Sequence, residues 1–111
     1  MLKILLGAAL AATLFPGAAI AQATDFTLIN GTGKALGNLS IRRTGSAEWR
    51  PLGAAPAPDG SQAVAFDDPD CAFDIRATSA GGEIVWSGVN LCEVSAVTLR
   101  EAGGTPYAEY R

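Results

Sequence analysis

An all-β fold follows from three features of the 111-residue sequence. No segment sustains the helical period of about 3.6 residues, whereas several alternate apolar and polar positions by two. Reversals rich in Gly, Asn and Pro separate those segments at short intervals. Two cysteines, Cys71 and Cys92, lie within the same region. Together these features predict a small antiparallel β-sandwich or flattened barrel of about six or seven short strands, with one disulfide.

The first residues read as a leader. Lys3 gives a positive start, Ile4 to Phe15 is an apolar run, Pro16-Gly17 breaks it, and the small-residue stretch "AAIAQA" follows. That is the three-part layout of a secretory signal peptide. Two A-x-A sites compete, so residues 1–23 are expected to be a signal peptide cleaved after Ala21 or Ala23. The apolar run is shorter than the roughly 20 residues a spanning helix needs, and no stable membrane insertion is expected after its removal. The sequence thus predicts a periplasmic or secreted protein, with a domain at 24–101 and a flexible C-terminal tail at 102–111, the alternative being that Tyr107 and Tyr110 fold back on an exposed edge or offer a partner something to grip.

Alternation defines the elements in order. "DFTLIN" puts Phe26 and Leu28 on one face, and Asn30-Gly31 with Gly33 supplies the reversal. "LGNLSIRR" sets Leu39 and Ile41 against Asn38, Ser40 and Arg42. The next stretch is a long connection, because Pro51, Pro56 and Pro58 lack backbone donors; Trp49 and Leu52 are expected to pin it to the core. "SQAVAFD" brings Val64 and Phe66 into register, and "DDPD", Asp67 to Asp70, turns the chain. In "CAFDIRAT", Cys71, Phe73, Ile75 and Ala77 share one face and Ala72, Asp74, Arg76 and Thr78 the other. With "SAGG" as the hairpin loop, Thr78 opposes Glu83, Ala77 opposes Ile84, Ile75 opposes Trp86 and Asp74 opposes Ser87. Both strands then bury the same face.

Beyond this hairpin the phase must change. Trp86 is inward at an even position, yet Val97 and Leu99 are apolar at odd ones. Gly88 and Asn90 are best suited to a bulge or bend. Extending the register puts Asn90, not Cys92, opposite Cys71, so closing the disulfide requires the chain to bend within "GVN". In an oxidising compartment an even pair of cysteines is most simply one bridge. Its loop of about 21 residues makes it worth on the order of 3 kcal/mol.

The residues Phe26, Leu28, Asn30, Thr32, Gly33, Leu39, Ile41, Gly45, Glu48 and Trp49 form the first half of a longer pattern. Cys71, Asp74, Arg76, Trp86, Gly88, Asn90, Leu91, Cys92 and Glu93 complete it as C-x-x-D-x-R and W-x-G-x-N-L-C-E. This pattern, spanning Asp25 to about Leu99, resembles a group of small exported proteins of Gram-negative bacteria. "APDG" keeps Pro58 and Gly60 but lacks the Leu of the usual L-P-x-G. The resemblance implies a bacterial envelope or secreted protein and no particular activity.

The residues present narrow the chemistry. There is no histidine, so the commonest general base and the commonest zinc ligand are missing. With Cys71 and Cys92 paired, thiolate nucleophiles and thiolate metal sites fall away too. No catalytic residue, metal site or cofactor is expected, and the reading is of a non-enzyme. Removing Lys3 leaves seven basic against eleven acidic side chains, a net charge of −4, which argues against nucleic acid as partner. "DDPD" has the oxygens for a weak Ca²⁺ site, but Pro-Asp clusters are ordinary turn material.

The candidate binding surface comprises Trp49, Asp74, Arg76, Asn90 and Glu93. Asp74 and Arg76 are expected outside, as an exposed ion pair or a polar patch for a partner. Asn90 is suited to cap backbone donors in the bend, and Glu93 to bond Arg76, Arg100 or a bare amide. Trp86 belongs in the core by its phase with Ile84. The expected function is a non-catalytic binding or inhibitor module of the bacterial envelope, its partner an unknown protein or glycan. The alternatives are a carbohydrate- or envelope-binding domain using Trp49, or a carboxylate-dependent hydrolase drawing on Glu48, Asp74, Glu83 or Glu93.

Overall fold

The computed structural model describes residues 21–111, and the leader expected at 1–23 lies outside them up to position 20. Eight strands form: β1 Phe26–Asn30, β2 Gly37–Arg43, β3 Arg50–Pro51, β4 Ser61–Val64, β5 Ala72–Ser79, β6 Gly82–Asn90, β7 Ala96–Ala102 and β8 Thr105–Tyr110. They make two four-stranded sheets, ordered β4-β1-β7-β8 and β3-β2-β5-β6. This is a sandwich, not a closed barrel. All pairings are antiparallel except β1 with β7, where Leu28 lies beside Val97 in a parallel ladder.

Alternation places the core as the sequence predicts. Phe26, Leu28, Leu39, Ile41, Phe73, Ile75, Ala77, Ile84, Trp86, Val97 and Leu99 are all buried between the sheets. Phe66 stands edge-on to both Phe26 and Phe73, with ring centroids 5.9 and 5.2 Å away. Such pairs add roughly 0.5–1.5 kcal/mol beyond the area they bury. Trp86 is 1% exposed, and its indole N–H donates to the Arg100 carbonyl at 2.9 Å. One side chain thereby fills the core and ties β6 to the opposite sheet.

The expected hairpin register holds at Thr78–Glu83, Ala77–Ile84 and Ile75–Trp86, around a tighter turn in which Ser79 pairs with Gly82. It then shifts. Phe73 lies opposite Val89, so one residue on β5, Asp74, faces two on β6, Ser87 and Gly88. Gly88 has φ +66°, the left-handed conformation a bulge of this kind demands and a side chain resists. The bulge corrects the expected pairing of Asp74 with Ser87. It also moves Asn90 from Cys71 to Ala72, and the Leu91 amide donates to the Cys71 carbonyl at 2.9 Å. Because the bulge resets the phase, Val89 and Leu91 join the core and Cys92 arrives beside Cys71. The disulfide is formed, with Cα atoms 5.0 Å apart.

Two strands go beyond the main expectation, the second of them realising the alternative in which the C-terminal tyrosines fold back on an edge. β3, at two residues, is too short to leave a periodic signal. The C-terminal segment, expected as a flexible tail from residue 102, is β8, paired along β7 from Ala102–Thr105 to Val97–Tyr110. Gly103 and Gly104 have φ +58° and +84°, so the pair read as a loose joint is a two-residue hairpin turn. The Tyr110 hydroxyl accepts from the Asn90 amide at 3.0 Å, fastening the end of β8 to β6.

Replacing Cys71 and Cys92 by Ser is expected to lower stability by about 3 kcal/mol, read as a lower urea midpoint. The native protein is expected to show no reactive thiol before reduction.

Candidate binding face

The outer face of the β3-β2-β5-β6 sheet carries the densest group of functional side chains. Register places Arg42 opposite Asp74 and Ser40 opposite Arg76. Since Ile41 and Ile75 face the core, alternation turns Ser40, Arg42, Asp74 and Arg76 outward. Trp49, on the residue just before β3, lays its half-buried indole across this face. The Arg42 and Arg76 guanidinium carbons lie 4.4 and 4.0 Å from its ring centroid. Each contact is worth roughly 0.5–1 kcal/mol at an exposed site, and the two fix the ring's orientation. The connection is therefore held on the outside by Trp49 and on the inside by Leu52, not by both residues in the core.

Asp74 and Arg76 do not pair with each other. Neighbours two apart along a strand are separated by roughly 6.5 Å, farther than residues directly across a ladder. Asp74 bonds Arg42 Nε at 2.9 Å, and Arg76 Nε lies 3.6 Å from Glu83 across the hairpin. Nor is Asp74 solvated as expected: it is 4% exposed. Its Oδ1 accepts from the Thr44 hydroxyl at 2.8 Å and the Gly88 amide at 3.0 Å, inside the bulge. Burial pushes its pKa up, but the Gly88 amide, the Thr44 hydroxyl and the Arg42 guanidinium outweigh that and hold it below the usual carboxylate range.

Asn90 and Glu93 belong to a different place. With Ala21, Cys71, Ala72 and Cys92 they line a shallow cavity of about 350 Å³ at the disulfide corner. Asn90 Oδ1 accepts from the Cys92 amide at 2.9 Å, the capping role its type suggested. Glu93 is exposed with φ +61°, while the cations suggested for it are engaged elsewhere, Arg76 with Glu83 and Arg100 with Glu109. The five residues thus form one group on the sheet face and another at the corner.

In "DDPD", Asp68 is 6% exposed and held by Arg43, whose Nε and Nη2 reach it at 3.2 and 3.1 Å. Burial raises its pKa, but the Asp70 amide and the guanidinia of Arg43 and Arg50 bring the balance below the ordinary value. With Arg43, Ser46, Glu48 and Arg50, Asp68 lines a polar cavity of about 240 Å³. No group of three or more His, Cys, Asp or Glu able to hold a metal occurs among the described residues. The carboxylates considered for hydrolysis are dispersed: Glu48 in that cavity, Glu93 at the disulfide corner, Asp74 on Arg42 and Glu83 on Arg76.

Sequence reading missed Arg42, Thr44 and Arg43 as members of these groups, and gave Asp68 a turn but not its arginine. Arg42 is brought to Asp74 by the register of β2 on β5, and Thr44 and Arg43 follow from the same end of β2, not from spacing within one segment. The fold and its outer face define a disulfide-tied β-sandwich with an arginine-braced tryptophan. No family model, curated protein or solved structure matches this chain.

Because both carboxyls titrate below their unfolded value of about 3.9, they stabilise the fold fully above that pH and lose the contribution as pH falls through their folded values. Stability should therefore hold to about pH 5 and decline below about pH 4 in urea titrations. Asp74→Asn is expected to cost about 2–4 kcal/mol at neutral pH and to flatten the acid limb.

Proposed function

We propose that this protein is an exported, non-catalytic binding or inhibitor module of the bacterial envelope, and that it meets its partner through the face around Trp49. The observation that carries the reading is the indole held against two guanidinium groups on an otherwise rigid sheet. Trp and Arg are the residues that most often dominate binding energy, and a ring already fixed in place loses little entropy on contact. The disulfide fits an oxidising compartment, and no helix among the described residues is long and apolar enough to cross a membrane.

The face suits a protein partner bearing carboxylates. Among the described residues the carboxylate beside Arg76 is that of Glu83, at 3.6 Å, and the Glu83 side chain is 55% exposed, so a partner's carboxylate can displace it. A glycan reading of Trp49 is less favoured, because guanidinium groups already lie against the ring a sugar would stack on.

Immobilised domain incubated with envelope extract is expected to retain a specific protein that the Trp49→Ala and Arg76→Ala variants do not. Circular dichroism should show both variants folded, since each loses only outer-face contacts worth about 1–2 kcal/mol. Equal retention by the variants would remove this face from the reading. A change in tryptophan fluorescence on titrating envelope glycans would favour the sugar instead.

A further inference from the structure

Ala23 is built into the fold more deeply than its place ahead of β1 suggests. Its amide donates to the Asp68 carbonyl at 2.8 Å, and its own carbonyl accepts from the Asp68 amide at 3.0 Å. The same residue bridges Cys92 on its other side, so it stands between the "DDPD" turn and the disulfide corner. Its methyl group is 0% exposed and belongs to the main core cluster. The residues just before it differ: Ala21 and Gln22 are exposed, and Ala21 lies at the open rim of the disulfide cavity.

The sequence holds two sites of the small-x-small kind that a leader peptidase accepts, ending at Ala21 and at Ala23. We infer that processing falls between Ala21 and Gln22, and not between Ala23 and Thr24; this rests on the export reading above. Water adds across the Ala21–Gln22 peptide bond, leaving a carboxylate on Ala21 and a free α-amino group on Gln22. Nothing that holds the domain together is lost in that cut. Hydrolysis after Ala23 would strip away the core methyl and both backbone partners of Asp68.

The test is the intact mass of the protein recovered by osmotic shock after the full chain is expressed in a Gram-negative host. A chain starting at Gln22, with or without ammonia lost by cyclisation of that residue, is the expected result. A chain starting at Thr24 overturns the inference and leaves export standing. A chain still carrying Met1, retained with the cells, overturns the export reading and the inference with it. The physical reason is tested separately by comparing purified 22–111 with 24–111. The shorter protein should melt lower by roughly 10 °C, because two buried backbone groups lose their partners. Equal melting temperatures would show that the Ala23 slot does not select the site.

Discussion

A single carboxylate governs how the second half of this chain is laid out. Asp74 sits where β5 has one residue and β6 has two, and its Oδ1 accepts the Gly88 amide that the extra residue leaves without a ladder partner. The same group holds Thr44 and Arg42, so the β2–β3 connection and the β6 bulge are anchored to one point. A buried ion with several charge-assisted bonds is strong where the geometry is complete and costly where a partner is missing. The bulge it stabilises turns Val89 and Leu91 inward and delivers Cys92 to Cys71. Core packing, covalent closure and the outer face thus meet at this carboxylate.

The cationic face is a by-product of that arrangement as much as a surface of its own. Arg42 serves Asp74 with its Nε and Trp49 with its guanidinium plane. Arg76, one pleat along, shares the indole without sharing the carboxylate. The tryptophan is therefore positioned by side chains that are themselves fixed by a buried anion, which is how a preorganised contact surface is built on strands. At the opposite end of β1, Asn30 plays a comparable part. Fully buried, it donates to the carbonyls of Lys34 and Pro56 and accepts from the Thr32 amide and hydroxyl. One amide side chain thereby holds together the first turn and the proline-rich connection.

What could be read in advance was local. Alternation along "CAFDIRAT" and "GEIVW" located the buried face and the hairpin register near the turn, and the parity conflict between Trp86 and Val97 pointed to a bulge or bend at Gly88 or Asn90, which the structure places at Gly88. Those inferences need only the two-residue period and the special dihedrals of glycine. The partner of Asp74 was not legible, because Arg42 lies on a strand far away in the chain and only the β2–β5 register brings it across. Gly103-Gly104 misled for a related reason. A glycine pair marks freedom in sequence, and whether it becomes a loose joint or a tight turn depends on β7 offering a free edge to the residues beyond it.

The parallel contact of β1 with β7 has a consequence for how the molecule comes together. Leu28 lies beside Val97, about 70 positions away, so closing that ladder requires a large loop of chain to be gathered first. The β5–β6 hairpin pairs within a few residues of its turn and has no such delay. Assembly should therefore begin at the middle of the polypeptide, with the amino-terminal strand left waiting for a neighbour made almost last. A sheet built this way cannot seal during synthesis, and the chain stays threadable until nearly all of it has arrived.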